Sequence, residues 1–378
     1  MADGRLDYLN SMSADLTPEQ RDLLSLHLVP GLGPRLTAAL LDRFGSAAAV
    51  LEASARQLTE VPHIGDKLAE DLRQAMLRLD VSKELGLIEK HDARLLPLGS
   101  SQYPSPLATV SDAPHLLYML GAWEERDANA VALVGSRHGT AYGRRIAERL
   151  AADLSQAGFT VVSGLARGVD GAAHRGALRV GGRTVAVLAG GLSRIYPPEH
   201  AELALEVKAH GALFSEAPMA MEPLATMFPQ RNRLISGLSR GVVVVEAAER
   251  SGALITARHA AEQGRAVFAV PGAVDSPASA GTLKLIRDGA TLVRRAEDII
   301  EELDGIAPIV PLPASPAPTV QLDEPERRIW DLVAEQPLHI DDIAREVGLS
   351  APQAAGTLMA MEMKKAIRRL PGNRYERR

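Results

Sequence analysis

Cysteine is absent from this 378-residue chain, so it holds no disulfide framework, no thiolate zinc site and no cysteine nucleophile. That absence fits a reducing compartment. No segment runs long enough without charge to span a bilayer, and the stretch from Met1 to Asp7 has no apolar core of signal-peptide length. The expectation is a cytoplasmic protein without membrane insertion. A positive excess is lacking too. The formal net charge of -5 excludes a chain coated in cations, so any nucleic-acid site must be local. Two phosphate signatures are also missing, the GxGxxG fingerprint and the GxxxxGK[ST] loop.

What is present divides the chain into textures. Residues 21–79 read as short helices punctuated by two similar turns, Val29-Pro30-Gly31-Leu32-Gly33-Pro34-Arg35 and Val61-Pro62-His63-Ile64-Gly65-Asp66-Lys67. Each turn precedes an amphipathic run, as in tandem helix-hairpin-helix modules. From Ala130 apolar strands alternate with helix-length segments: Ala130–Val134, Phe159–Val162, Thr184–Leu188, Ala212–Phe214, Gly241–Val245 and Ala266–Val270. Near-continuous apolar strands suit a parallel sheet covered on both faces by helices such as Tyr142–Ala157. Residues 306–320 carry five prolines and read as a linker. Beyond it, helical periodicity over Glu324–Ala334, His339–Val347 and Ala351–Met361 precedes two strand-like runs about Pro371-Gly372-Asn373, the order of a winged helix. The expected architecture is α/β: a helical helix-hairpin-helix (SAM-like) domain over 1–105, a Rossmann-like core over 106–305, a linker over 306–322 and a winged helix over 323–378.

Strand ends of an open parallel sheet are where ligands bind. Gly135-Ser136-Arg137 ends the first core strand, where loop amides and a helix start attract anions; a tight structural turn is the equal alternative. Where a ribose-binding acid would be needed for a nicotinamide, the second strand runs into Ser163-Gly164, so no cofactor is expected. Arg167 follows. Asp170 and His174, four apart, can share a helix face as an acid–base pair. The stronger account makes Asp170 a cap and His174 a packed side chain, because no nucleophile or second acid is tied to them by spacing. In Phe228-Pro229-Gln230-Arg231-Asn232-Arg233, Pro229 suits a first helical turn, and arginines near a helix start oppose its dipole. An anionic ligand explains them; so does pairing with Glu216 or Glu246. Phe228 reads as a base-stacking platform or as a hydrophobic staple. Ser251, Gly252 and Thr256 either hold phosphate or cap a helix.

In order and spacing, Val134 to Arg137, Ser163 to His174, Gly190-Gly191-Leu192 with Tyr196-Pro197, Ser215-Glu216, Phe228 to Ser239, Glu246 with Ser251 to Ala257, and Pro271-Gly272 resemble the DNA-processing protein A (DprA, or Smf) family. The resemblance implies a non-enzymatic single-stranded-DNA-binding protein that forms homodimers. It also implies delivery of DNA to RecA, with displacement of single-strand binding protein, during natural transformation and DNA uptake. Carried over by motif, Arg137 contacts phosphate, Arg167, Arg231 and Arg233 line the same basic pocket, and Phe228 lies near a base. Two segments depart from the family pattern: Leu224-Ala225-Thr226-Met227 lacks a basic residue, and Gly281-Thr282-Leu283 lacks an asparagine.

The hairpin turns are expected to hold phosphates through backbone amides, or else to serve in packing. The winged helix offers Ala351 to Met361 and a basic tail to duplex DNA, or its tail is only a solvated terminus. Two rival functions stand beside the mediator: a base-releasing nucleotide hydrolase, whose Pro-Gly-Gly loop acid is missing here, and a winged-helix regulator of duplex DNA. For assembly, Leu283, Leu285, Ile286 and Leu292 are expected to form a dimer surface, with packing inside the monomer as the alternative.

Overall fold

Every residue of Gly241-Val242-Val243-Val244-Val245-Glu246 is buried, as a strand covered on both faces requires. The computed structural model describes residues 16–304, 323–333, 338–364, 366–370 and 372–377. The expected linker over 306–322 lies outside the described residues, as do Ala334, Lys365, Pro371 and Arg378. The chain divides into two units between Pro311 and Leu312.

In the first unit the strands are β1 (Arg94–Pro97), β2 (Leu116–Gly121), β3 (Ala130–Gly135), β4 (Thr160–Ser163), β5 (Thr184–Leu188), β6 (Gly211–Ser215), β7 (Gly241–Glu246), β8 (Ala266–Ala269) and β9 (Thr291–Leu292). They form one sheet in the order β1-β2-β6-β5-β4-β3-β7-β8-β9. From β6 to β9 every pairing is parallel, while β1 and β2 add an antiparallel edge. The strands expected from sequence all appear, shifted by a residue at most of their ends. The antiparallel edge was not expected: Arg94 pairs with Met119, so Arg94–Pro97 is a strand of the sheet.

Strand alternation divides the core between two faces. Ala130, Ala132 and Val134 pack with Leu234, Ile235 and Leu238; Val131 and Leu133 pack with Ile146, Leu150 and Leu154 of the Ala141–Gln156 helix. The N-terminal helices Pro18–His27, Pro34–Phe44, Ala47–Glu52, Ala55–Leu58 and Asp66–Leu77 surround their own core of Leu26, Leu40, Val50, Leu58 and Leu72. Leu24 and Ile88 join a cluster with Leu116, Tyr118 and Leu213, which fastens those helices to the antiparallel edge.

One feature of this topology positions the site. From β3 the chain builds β4, β5 and β6 to one side and then returns to place β7, β8 and β9 on the other. The reversal opens a crevice beyond the carboxyl ends of β3 and β7.

The second unit packs helices Glu324–Leu332, Ile340–Val347 and Ala351–Met363 around Ile329, Ile343, Leu358 and Met361. Its strands β10 (Leu338–His339), β11 (Ile367–Leu370) and β12 (Arg374–Arg377) form a sheet in the order β10-β12-β11. This is the expected winged helix. Part of its basic tail is engaged internally, since Lys364 Nζ lies 2.6 Å from the buried Glu326 carboxylate and Arg369 donates to Asn373.

Candidate nucleic-acid interface

Gly135 ends β3 where no side chain fits: a Cβ there would lie 2.7 Å from Val169 Cγ2 and 2.9 Å from Glu246 O. The close approach lets Ser136 N donate to Glu246 O (2.7 Å) and Thr140 N to the Glu246 carboxylate (2.8 Å). Thr140 in turn caps the Ala141–Gln156 helix by accepting from Gly143 N at 3.1 Å. The helix start expected to attract an anion thus has an internal carboxylate beside it. Ser136 is likewise turned to the loop, its hydroxyl accepting from His138 N at 3.2 Å. What this loop offers outward is the exposed Arg137 side chain.

The end of β4 is organised by a buried charge. Asp170 Oδ2 accepts from Gly164 N (3.1 Å) and Ala166 N (3.4 Å). It therefore ties the strand-end loop, and does not cap its own helix, Val169–Arg179, whose N-cap is Gly168. Arg231 reaches in from another element, donating from Nη1 to Val187 O at 2.5 Å. Only glycine at 164 permits this, because a Cβ would stand 2.0 Å from Arg231 Nη1. Burial raises the Asp170 carboxyl, against the attraction of Arg231, and lowers the Arg231 guanidinium to about 10, against the attraction of Asp170. His174 is packed: its Nδ1 lies 2.7 Å from Thr184 Oγ1, and burial lowers it to about 3. The acid–base pair is absent. Ser163 is also removed as a ligand-facing group, since its fully buried hydroxyl donates to Leu133 O at 2.6 Å.

The helix carrying the Phe-Pro-Gln-Arg-Asn-Arg segment runs Met227–Gly237. Pro229 is its third residue and so lies in the first turn, as expected, where no amide donor is needed. Phe228 is accordingly helical and not in a loop, and both arginines lie past the first turn, so the expected conflict with the dipole disappears. They also part company. Arg233 points away from Arg231's recess, lying 2.5 Å from Glu216 and 3.5 Å from Asp112; the pairing alternative holds for it. Asn232 donates to Gly252 O at 3.2 Å and fixes the loop after β7. In that loop Ser251 Oγ accepts from Ala253 N at 3.3 Å, a local turn ahead of the Ala253–Glu262 helix, whose N-cap is Gly252 without a side-chain cap, and Thr256 is buried inside that helix.

Arg137, Gly164, Arg167, Phe228 and Arg231 are brought together around one recess. Its outer wall is a ladder of cations and rings. The Arg137 guanidinium lies 4.3 Å from the Phe228 ring centre, Phe228 meets Tyr196 edge-on at 5.9 Å, and Arg167 stands 5.9 Å from the Tyr196 ring. Arg167 is also paired with Glu199. Behind the ladder lies about 20 Å³ of free space, room for about one water. In front, a groove of about 560 Å³ is lined by Gly135, Arg137, Phe228, Asn232, Ser251 and Gly252. Sequence reasoning missed two recess residues, Arg194 and Tyr196. Tyr196 precedes Pro197, and nothing in that dipeptide alone signals a ligand-facing ring. Arg194 supplies a cation that Leu224 to Met227 lacks.

The class the fold defines is a Rossmann-like protein whose strand-end recess carries exposed arginines interleaved with aromatic rings, a chemistry that suits an anionic, ring-bearing ligand. The comparisons with known proteins narrow this class. The model of the DNA recombination-mediator protein A family matches residues 94–304, that of the DprA winged-helix domain residues 313–373, and that of a SAM-like helix-hairpin-helix tandem residues 21–76. Protein Smf of Escherichia coli is 40% identical over 300 residues, covering 78% of this chain and 80% of its own. The Bacillus subtilis DNA processing protein DprA is 44% identical over 209 residues, 55% of this chain and 70% of its own. The structure of DNA processing protein A from Streptococcus pneumoniae superposes with a TM-score of 0.65 at 31% identity, covering 76% of this chain and 99% of that one. That of the Helicobacter pylori protein, described for its unique single-stranded DNA binding mode, gives 0.51 at 29% identity over 56% and 95%. The chain belongs to the DNA recombination-mediator protein A family.

Proposed function

We propose that this protein binds and protects single-stranded DNA in the cytoplasm and loads RecA onto it, displacing single-strand binding protein, as a recombination mediator in natural transformation and DNA uptake. The observation that carries this reading is the ladder Arg137–Phe228–Tyr196–Arg167 above the switch point. Arginine guanidinium groups take phosphates of any sequence, and ring faces take bases of any identity. The revised binding set is Gly135, Arg137, Gly164, Arg167, Arg194, Tyr196, Phe228, Arg231 and Asn232.

The protein acts without turnover in this reading. Glu216 is engaged by Arg233 and Glu246 by Thr140 N, so each has a structural task, and base release from a nucleotide is not expected. The helix Ala351–Met363 carries no cation, which disfavours a regulator that reads duplex through it. The protein is read as a homodimer, with Leu283 and Leu292 as its candidate contact.

Fluorescence titration of oligo-dT at several salt concentrations tests the proposal. Tight, sequence-tolerant binding that weakens with salt is expected, together with faster RecA filament assembly on DNA coated with single-strand binding protein. Failure to bind oligo-dT, or release of adenine from AMP at an enzymatic rate, would overturn it.

A further inference from the structure

Aromatic rings are scarce in this chain, 3% of its residues, and most of them are spent inside. Two rings stand among the large apolar side chains left exposed in the described residues, Tyr196 at 40% and Tyr142 at 42%. Tyr196 belongs to the ladder, beside Arg167. Tyr142 repeats that arrangement away from it: the Arg145 guanidinium lies 5.8 Å from its ring centre, one helical turn further on. Tyr142 lines neither the recess nor the groove in front of it.

The pair is fixed in place and open to an anion. The Tyr142 hydroxyl donates to Pro271 O at 3.1 Å, tying the first turn of the helix Ala141–Gln156 to the loop after β8. That tie accounts for the hydroxyl; it does not account for a ring left facing water beside a cation. From Gly135 to Arg145 the chain carries three arginines and no acid. Arg137 is the end of the ladder, and Arg144 turns back to donate to Gly139 O. Arg145 is exposed and has no ion pair among the described residues. The acids close to this stretch are engaged elsewhere, Glu148 facing Arg179 at 3.8 Å and the buried Glu246 accepting from Thr140 N. The stretch is also continuous with the ladder, since Arg137 and Tyr142 are separated by at most about 18 Å of extended chain.

We infer that Tyr142 and Arg145 form a second stacking station, on which a single strand leaving the ladder past Arg137 lays a further base and phosphate. An exposed ring beside an unpaired guanidinium is the combination that holds a base and its phosphate without regard to sequence. The strand thereby crosses the carboxyl edge of the sheet, from the helix Met227–Gly237 on one face to the helix Ala141–Gln156 on the other. The inference rests on the single-stranded-DNA reading of the recess.

Titration of the full-length protein with oligo-dT of about 5 and about 20 nucleotides, lengths bracketing the site sizes of single-strand binders, tests it. Tyr142→Leu should weaken the long strand by about fivefold or more, the loss of one base stack, with its salt slope unchanged. Arg145→Ala should weaken the long strand by about threefold and make its salt slope shallower by about one. Tyr142→Phe keeps the ring and gives up only the bond to Pro271 O, so it should bind the long strand as wild type does. None of the three should alter the short strand, which the ladder alone can hold. A long strand carrying 5-iodouracil in place of thymine should photocross-link to Tyr142. A wild type that binds neither length would defeat the reading of the recess itself. With a wild type that binds both, a Tyr142→Leu variant equal to it on the long strand would overturn the station alone. A Tyr142→Phe loss as large as that of Tyr142→Leu, equal losses on both lengths, or cross-links that avoid Tyr142 would overturn it as well.

Discussion

The Arg137 guanidinium lies over the face of Phe228, 4.3 Å from its ring centre, so the phosphate-seeking group and the base-seeking group of this site occupy each other. In the proposed function an arriving strand would separate them: a phosphate would draw the guanidinium outward, and a base would stack on the ring face it leaves. The space behind the ladder is only about 20 Å³, so a base would need such an opening to enter.

Opposite salt behaviour of the two partners is the first prediction. Arg137→Ala should weaken oligo-dT of every sequence alike and lower the salt slope by about one. Phe228→Ala should cost about 1–3 kcal/mol with the slope unchanged. Because the pair is in contact, the double variant should depart from additivity by about 0.5 kcal/mol or more. Additive losses in titrations at matched salt would refute the mutual occupancy.

Gly164→Ala provides the second. The new methyl would stand 2.0 Å from Arg231 Nη1, and the guanidinium cannot withdraw without losing Val187 O and its place beside Asp170. Loss of single-strand binding by about tenfold, about 1.4 kcal/mol, is expected. Retained affinity would show that Arg231's position does not matter to the ligand.

The third concerns pH. His27 is partly buried against Tyr118, with its Nε2 2.8 Å from Glu216 O. Burial, chiefly, lowers its pKa from 6.5 to about 4. Between those values the unfolded chain binds the proton and the folded chain does not, so stability is complete above about pH 6.5 and falls as pH drops toward 4. His27 alone accounts for about 1.4 kcal/mol per pH unit in that window, and about 3 kcal/mol across it. His174, lowered to about 3, adds to the same trend. Chemical denaturation of His27→Gln at a series of pH values should show a shallower dependence than wild type, and parallel curves would refute the assignment.

Strands buried on both faces were legible because their apolar runs admit no other use, as in Val242 to Val245. The antiparallel pair β1 and β2 was not, because Arg94–Pro97 is only four residues long and both strands precede the alternating strand–helix stretch that begins at Ala130. Within the candidate site, Arg137, Gly164, Phe228 and Arg231 line one recess, and Gly135 lines the groove in front of it. Arg233 was not separable from Arg231 by composition, yet two residues on a helix are turned by about 200°. One therefore faces the sheet end and the other Glu216. Ser163 and Thr256 carry hydroxyls that sequence cannot assign, and burial turned both inward.

The last prediction concerns assembly. The structure sorts the four apolar residues proposed for a dimer contact. Leu285 packs against the core of the sheet, so a charge there would unfold the protein and report nothing about association. Leu283 and Ile286 are half-buried on the helix Ala280–Arg287. Leu292, at the end of the edge strand β9, remains 40% exposed. In the proposed dimer a two-fold partner would cover Leu292 of the edge strand, together with the half-buried Leu283 of the preceding helix, with its own copy. Leu283→Glu and Leu292→Glu should therefore yield folded monomers by light scattering. They should keep binding to short oligo-dT and lose affinity for long strands, since linkage of two sites multiplies their hold on one polymer. RecA filament growth on DNA coated with single-strand binding protein should slow with the same variants, because a mediator that cannot grip a long strand cannot hold it clear of its competitor. A wild type that is already monomeric would remove the dimer from this account. Variants that stay dimeric would move the contact to another face.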